Sequence, residues 1–308
     1  MLAVVVLDWR TGTGALSFWA KRARGACQME GSTGLPEVNT RPGLQRKSAH
    51  TQLRKKHSRS TNHKSRELEV SVLPPERPRV AKLTPPANSV TIAEWRTVIG
   101  ENFPTYLKPA EICLSVQAQL LLNDVSNPFA LALVDVPSSG KTIILNFFDG
   151  AIELTYTTDN LTPASFVSHA TNVKREDLAE VDLLPRIRYR TLIVRELGSI
   201  FGAKDDDLIK SLGILTRVLD GEGLETDSGV LGRRGYKGDY LFMLLAGTTP
   251  IPPRVSKIMG NFGSRLFFLA LHTPEDSEAE LVAQNKGVDR KIKENTCKEA
   301  TKNFLHTL

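Results

Sequence analysis

Cysteine is scarce in this chain: Cys27, Cys113 and Cys297 are the only three in 308 residues. They form no C-x-x-C and fall at no metal-ligand spacing with the six histidines. That pattern argues against a disulfide scaffold or a zinc site and points to a reducing compartment with metal-free cysteines. Cys113 lies in an apolar helical pattern and reads as core. Long hydrophobic runs are missing as well. No uninterrupted apolar stretch reaches 18 residues, the length that marks a membrane span. The opening MLAVVVLDWR is apolar for only six residues after Met1 and has no basic residue before them, a poor match to a secretory signal. The expectation is a soluble protein with no membrane contact. Acidic residues are absent from Val38 to Arg66, where RKSAHTQLRKKHSRSTNHKSR offers almost nothing apolar to bury.

Charge is therefore uneven. Residues 1–90 hold 16 Lys/Arg against 6 Asp/Glu, a net +10, and the remaining 218 hold 24 against 28, a net −4. The isoelectric point of 9.2 describes an arm and not a body. We read residues 1–88 as a disordered basic arm followed by the Pro-rich linker LPPERPRVAKLTPP. Such an arm is either a solvated tail or a contact for phosphates or a localisation receptor. With 41% hydrophobic residues overall, the body can bury a sizeable core.

From residue 89 helical and strand patterns alternate. SVTIAEWRTVIGENF has a helix start at Ser89 and apolar residues at helical spacing: Ile92, Trp95, Val98 and Ile99. KPAEICLSVQAQLLLNDV continues as a second helix with Pro109 in its first turn. NPFALALVDV is a continuous apolar run fit for a central parallel strand. Helix GKTIILNFFD, strand AIELTYTTD and a helix start at Thr162-Pro163 follow. RTLIVREL is the next strand, and AKDDDLIKSLGILTRVLDG an amphipathic helix with Asp205, Asp206 and Asp207 at its positive end and Gly221 to stop it. GLETDSGVLGRRGYKGDY reads as a hairpin, YLFMLLAGTT as a buried strand, PRVSKIMGNFG as a helix and SRLFFLALHT as a last strand. The fold class is α/β, a three-layer sandwich round a mainly parallel sheet. Residues 89–275 form one domain with a helical lead-in at 89–127, and 276–308 a charged, partly helical tail.

LALVDVPSSGKTIILNFF, residues 131–148, carries the chemistry. A tight turn of small residues lets backbone N–H groups wrap a phosphate, a lysine supplies charge and a hydroxyl binds Mg2+. Pro137, Ser138, Ser139 and Gly140 give the turn, with Lys141 and Thr142 behind it, between a strand and a helix. Asp135 stands where the G-x-x-x-x-G-K-[ST] pattern has its first glycine, which puts a carboxylate near the phosphates. TLIVREL ends a second strand in Glu196, suited to polarise a water or to bind Mg2+, with Arg195 where an aspartate would complete the metal site. Thr248-Thr249 closes the apolar strand before PIP, where Thr249 would reach a γ-phosphate or the attacking water. Arg265 precedes the last strand, a place from which an arginine can stabilise developing charge.

This order resembles the AAA+ and superfamily-three helicase branch of the P-loop ATPases, in particular the helicase-like ATPases attached to primases of phages and other mobile elements. The resemblance spans about residues 90–275. It is specific at Gly140, Lys141 and Thr142, departs at Asp135 and Arg195, and lacks both a primase domain and a helical lid after the last strand. It implies ATP and Mg2+ as cofactors, with Pro137 to Thr142 binding nucleotide, Thr142 and Glu196 binding Mg2+, and Glu196, Thr249 and Arg265 acting in hydrolysis. Arg265 would act as an arginine finger on a neighbouring copy in a homo-oligomer. Arg233, Arg234 and Lys237 on the hairpin would follow a single-stranded DNA backbone, with Tyr236 stacking on a base; otherwise they form a solvated tip. The location implied is the cytoplasm or nucleoid. Two other classes stay open: a nucleotide-binding switch or assembly factor with weak hydrolysis, and a P-loop kinase.

Overall fold

A computed structural model describes residues 89–122, 124–125, 127–168, 177–228, 232–262, 265–271 and 287–308. The arm and linker at 1–88, residues 229–231 and residues 272–286 lie outside the described residues, and so does Cys27.

The described residues hold seven strands: β1 (Phe129–Val134), β2 (Thr155–Asn160), β3 (Thr191–Glu196), β4 (Gly223–Ser228), β5 (Gly232–Lys237), β6 (Met243–Thr248) and β7 (Leu266–Ala270). Five form one parallel sheet in the order β2-β3-β6-β1-β7, and β4 pairs with β5 as an antiparallel hairpin. The architecture is α/β. Strands β1, β3 and β6 are nearly continuous apolar runs because both of their faces are covered. Alternate residues divide between two cores. Leu131, Leu133, Ile193, Met243 and Leu245 enter one, while Ala130, Ala132, Leu192, Val194, Leu244 and Ala246 enter the other.

The first core is closed by α1 (Ile92–Asn102), α2 (Leu107–Ala118) and α3 (Lys141–Asn146). Helix α1 starts later than Ser89 suggests. Thr91 is the cap: its hydroxyl accepts from the Glu94 N–H at 3.2 Å while Glu94 accepts from the Thr91 N–H at 2.7 Å. This reciprocal Thr-x-x-Glu box satisfies two backbone donors, and Ser89 has no Glu or Gln three residues on to complete one. Among the described residues after Thr162, up to 168, there is one short 3-10 turn, Pro163–Ser165, to which the Thr162 side chain gives no capping bond.

The second core is covered by α4 (Asp205–Val218), which buries Leu208, Leu212, Leu215 and Val218, and by α5 (Pro253–Met259). The last helix, α6 (Gly287–Thr307), lies in the segment read as a charged tail. It returns to the first core, burying Cys297, Phe304 and Leu305 there. Thr301, fully buried, accepts from the Trp95 indole N–H at 2.9 Å and donates to the Cys297 carbonyl at 2.8 Å. Burial holds the Cys113 thiol far above its ordinary range and pushes Cys297 up to about 12. Among the described residues no helix is long and apolar enough to cross a membrane.

Candidate functional site

The five parallel strands all point the same way, so their C-terminal ends form one edge, the usual place for a ligand in an open α/β sheet. The loop after β1 sits there, between β6 and β7. The Asp135 N–H donates to the Thr248 carbonyl at 3.3 Å, so the loop begins by extending the β1–β6 ladder. It then curls through two left-handed residues, Ser138 at φ 66° and Gly140 at φ 90°. Pro137 and Ser138 are exposed, Ser139 is buried, and Gly140 leads into α3.

Lys141 is turned back across this loop. Its ammonium donates to the Asp135 carbonyl at 2.8 Å, the Val136 carbonyl at 2.6 Å and the Ser139 hydroxyl at 3.3 Å. Burial lowers its pKa from the ordinary lysine value, and the nearby charges of Asp135 and Glu196 oppose that shift. Asp135, just after β1, and Glu196, at the end of β3, thus lie on the same edge of the sheet as this ammonium. Thr142 is exposed beside it.

A residue missed in the sequence lies over the loop. Tyr106, in the 3-10 turn Pro104–Tyr106, directs its hydroxyl at the Ser139 carbonyl, 3.4 Å away. Its ring stacks on Phe103 at 5.7 Å, and Phe103 meets Phe147 at 5.5 Å. The lead-in helices therefore grip α3 at both ends, and no local pattern around Tyr106 announces it.

At the end of β3, Glu196 accepts from the Gly198 N–H at 2.6 Å. Arg195 ion-pairs with Asp159 at 2.7 Å and Asp149 at 3.7 Å. On β6, Thr248 is buried opposite Val134, and its hydroxyl donates to the Thr249 carbonyl at 3.2 Å. Thr249 thereby stands beside the start of the loop. Arg265 is placed elsewhere. It precedes Leu266, which pairs with Ala130 at the opposite end of β1, and it is bound to Asp220 at 2.6 Å. Within one chain it does not join Lys141.

Chemically, the loop offers a cation at Lys141 and an exposed hydroxyl at Thr142, side by side at the C-terminal edge of the sheet. For Mg2+ the fit is thin: Thr142 and Glu196 remain, while Arg195 is engaged with Asp149 and Asp159. Among the described residues no three His, Cys, Asp or Glu side chains cluster as a metal site of their own.

No family model matches this chain, and no curated protein does. Two solved structures of the apo C-terminal region of NrS-1 are similar to it, one at TM-score 0.40 and 10% identity, the other at 0.38 and 12%. Each alignment covers 74% of this chain and 48% of the other, so the chain spans about half the length of those structures.

The hairpin corrects one expectation. Tyr236 is not presented for stacking: its hydroxyl donates to Asp182 at 2.8 Å, and its ring is half-buried against the second core, 5.8 Å from Tyr240. Burial and the Asp182 bond hold its pKa well above the usual tyrosine range. Arg233 pairs with Glu225 at 2.6 Å, Arg234 is half-buried and Lys237 is exposed.

Proposed function

We propose that the chain is a P-loop ATPase that binds ATP with Mg2+ at residues 137–142 and hydrolyses it in work on DNA, in the replication of a mobile element. What carries this reading is the Lys141 ammonium, held across a left-handed Ser-Ser-Gly turn at the C-terminal edge of a parallel sheet, with Glu196 close enough to act on it. Left-handed turns of this kind gather backbone N–H groups into anion cradles. In this reading the loop and Lys141 would hold the β- and γ-phosphates, and Thr142 and Glu196 would hold the Mg2+. Glu196 takes the proton of the attacking water, and Thr249 orients that water. Mg2+ would neutralise phosphate charge. Arg233, Arg234 and Lys237 follow a single-stranded DNA backbone. Arg265, far from its own Lys141, serves the neighbouring copy of a homo-oligomer.

A second reading is a nucleotide switch with weak hydrolysis. It is favoured by the ion pairs that engage Arg195 at the place of a metal-binding carboxylate.

ATP binding by the full chain and by Lys141→Ala tests the core of both. Two charge-assisted bonds to phosphate at about 1.5–3 kcal/mol each predict a loss of at least about 100-fold in affinity. Unchanged affinity would end the P-loop reading. Turnover stimulated by single-stranded DNA favours the motor, and binding without turnover favours the switch.

A further inference from the structure

Arg195 joins four separate segments. Its guanidinium donates to Asp159 at the end of β2 at 2.7 Å and to the Asn146 side-chain oxygen in the last turn of α3 at 3.4 Å, and it lies 3.7 Å from Asp149 just beyond. Those last two residues are themselves held by α6. The Asn146 amide donates to Glu294 at 2.5 Å, and Lys298 pairs with Asp149 at 2.5 Å. Glu294 and Lys298 are four residues apart, hence on one face of α6. The Asp149 side chain is only 14% exposed, so the inner part of this set is shielded from water and salt, whereas Asp159 stands in solvent. A planar guanidinium can bridge several acceptors in fixed directions, which an ammonium on a flexible stem does less well.

We propose that Arg195 is a positioning residue. It fixes the end of β3, and with it the neighbouring Glu196, against the helix that follows the phosphate loop, and it ties α6 into the same frame. Glu196 would take the proton, and Arg195 would decide where that carboxylate stands relative to Lys141. This rests on the ATPase reading above. The arginine that breaks the metal-site pattern is then a replacement part: a link between elements stands where a metal ligand is absent.

The test compares wild-type full-length chain, Arg195→Ala, Arg195→Lys, Lys298→Ala and the Arg195→Ala/Lys298→Ala double variant. ATP affinity, kcat and thermal melting are measured for each. Arg195→Ala is expected to keep ATP affinity within about threefold and to lose roughly tenfold or more in kcat, with part of the loss recovered in Arg195→Lys. Lys298→Ala should lower kcat less, and the double variant should fall little below Arg195→Ala, because linked residues are not additive. Amide exchange over residues 141–149 and 191–198 reads the same link without turnover, and it should quicken in Arg195→Lys and Lys298→Ala even if Arg195→Ala fails to fold. Unchanged kcat and exchange would overturn the inference. A loss of affinity matching the loss of kcat would overturn it too, since Arg195 would then bind nucleotide directly. Wild-type chain that binds no ATP removes the ATPase reading and this inference together, whereas failure of the Arg195 series alone leaves that reading standing.

Discussion

Gly140→Ala is the sharpest probe of the loop, because two separate costs meet at one atom. A Cβ built at position 140 would lie 2.0 Å from the Tyr106 hydroxyl oxygen and 2.3 Å from the ring carbon that bears it. The backbone there is left-handed at φ 90°, which costs an L-residue about 1–2 kcal/mol. Tyr106 cannot swing away freely, since it is 6% exposed and stacked on Phe103, and such overpacking costs about 1–3 kcal/mol. Together the substitution should destabilise the fold by about 2–5 kcal/mol. At about 2–4 °C per kcal/mol for a body of this size, melting falls by roughly 4–20 °C. Urea unfolding followed by circular dichroism measures it. Repeating the step in a Tyr106→Ala background removes the overlap and leaves the backbone strain, so there Gly140→Ala should cost only about 1–2 kcal/mol. Equal costs in the two backgrounds would refute the close approach of Tyr106, and a cost below about 0.5 kcal/mol in either would refute the left-handed turn as well.

Other consequences are measurable on the same protein. Lys141 is buried with its pKa below 10.5, so as pH rises the folded chain releases this proton before the unfolded chain does. Over the window between its lowered pKa and 10.5 its contribution to stability rises with pH while ATP affinity falls; Lys141→Met should flatten both trends, and an affinity constant through that window would contradict the phosphate contact. Glu196→Gln should bind ATP like wild type and lose about 100-fold or more in turnover, since an amide cannot accept the proton of water. Full activity in that variant would assign the base elsewhere. Arg265→Ala should bind ATP but not hydrolyse it, and mixing it with Lys141→Ala should restore part of the activity at interfaces where the intact residues meet. No rescue, with activity strictly linear in protein concentration, would confine Arg265 to its pairing with Asp220.

The sheet was legible because burial on both faces writes itself into the chain as uninterrupted apolar runs, as in FALALV, TLIVRE and MLLAGT. The loop was legible because Ser138, Ser139 and Gly140 fall between a run of that kind and a helix, a combination of local signals. The true start of α1 was also written down, in the Thr91/Glu94 spacing, but Ser89 offered a competing cap two residues earlier. Helix α6 was harder. Its buried residues, Cys297, Ala300, Thr301, Phe304 and Leu305, are separated by Lys and Glu, and one of them is polar, so the apolar stripe is faint. The contacts of Tyr106 with the loop and of Arg195 with Asn146 depend on distant parts of the chain meeting. Nothing in either neighbourhood encodes its partner. Tyr236 misled for a related reason: a tyrosine on a Gly-rich turn looks exposed until Asp182, far back in the chain, takes its hydroxyl.

The position of β1 in the sheet also governs when the molecule can come into being. Its two hydrogen-bonding neighbours are residues 243–248 and 266–270, both synthesised long after it. Until they leave the ribosome, a bare apolar strand and its glycine-bearing loop have nothing to pair with, and such non-local parallel pairing is slow to form. A chain stopped short of residue 243 would carry every residue of the loop after β1 and leave β1 without either of its partner strands. The order of the sheet thus delays the final shape of this loop until residues 243–270 have been made.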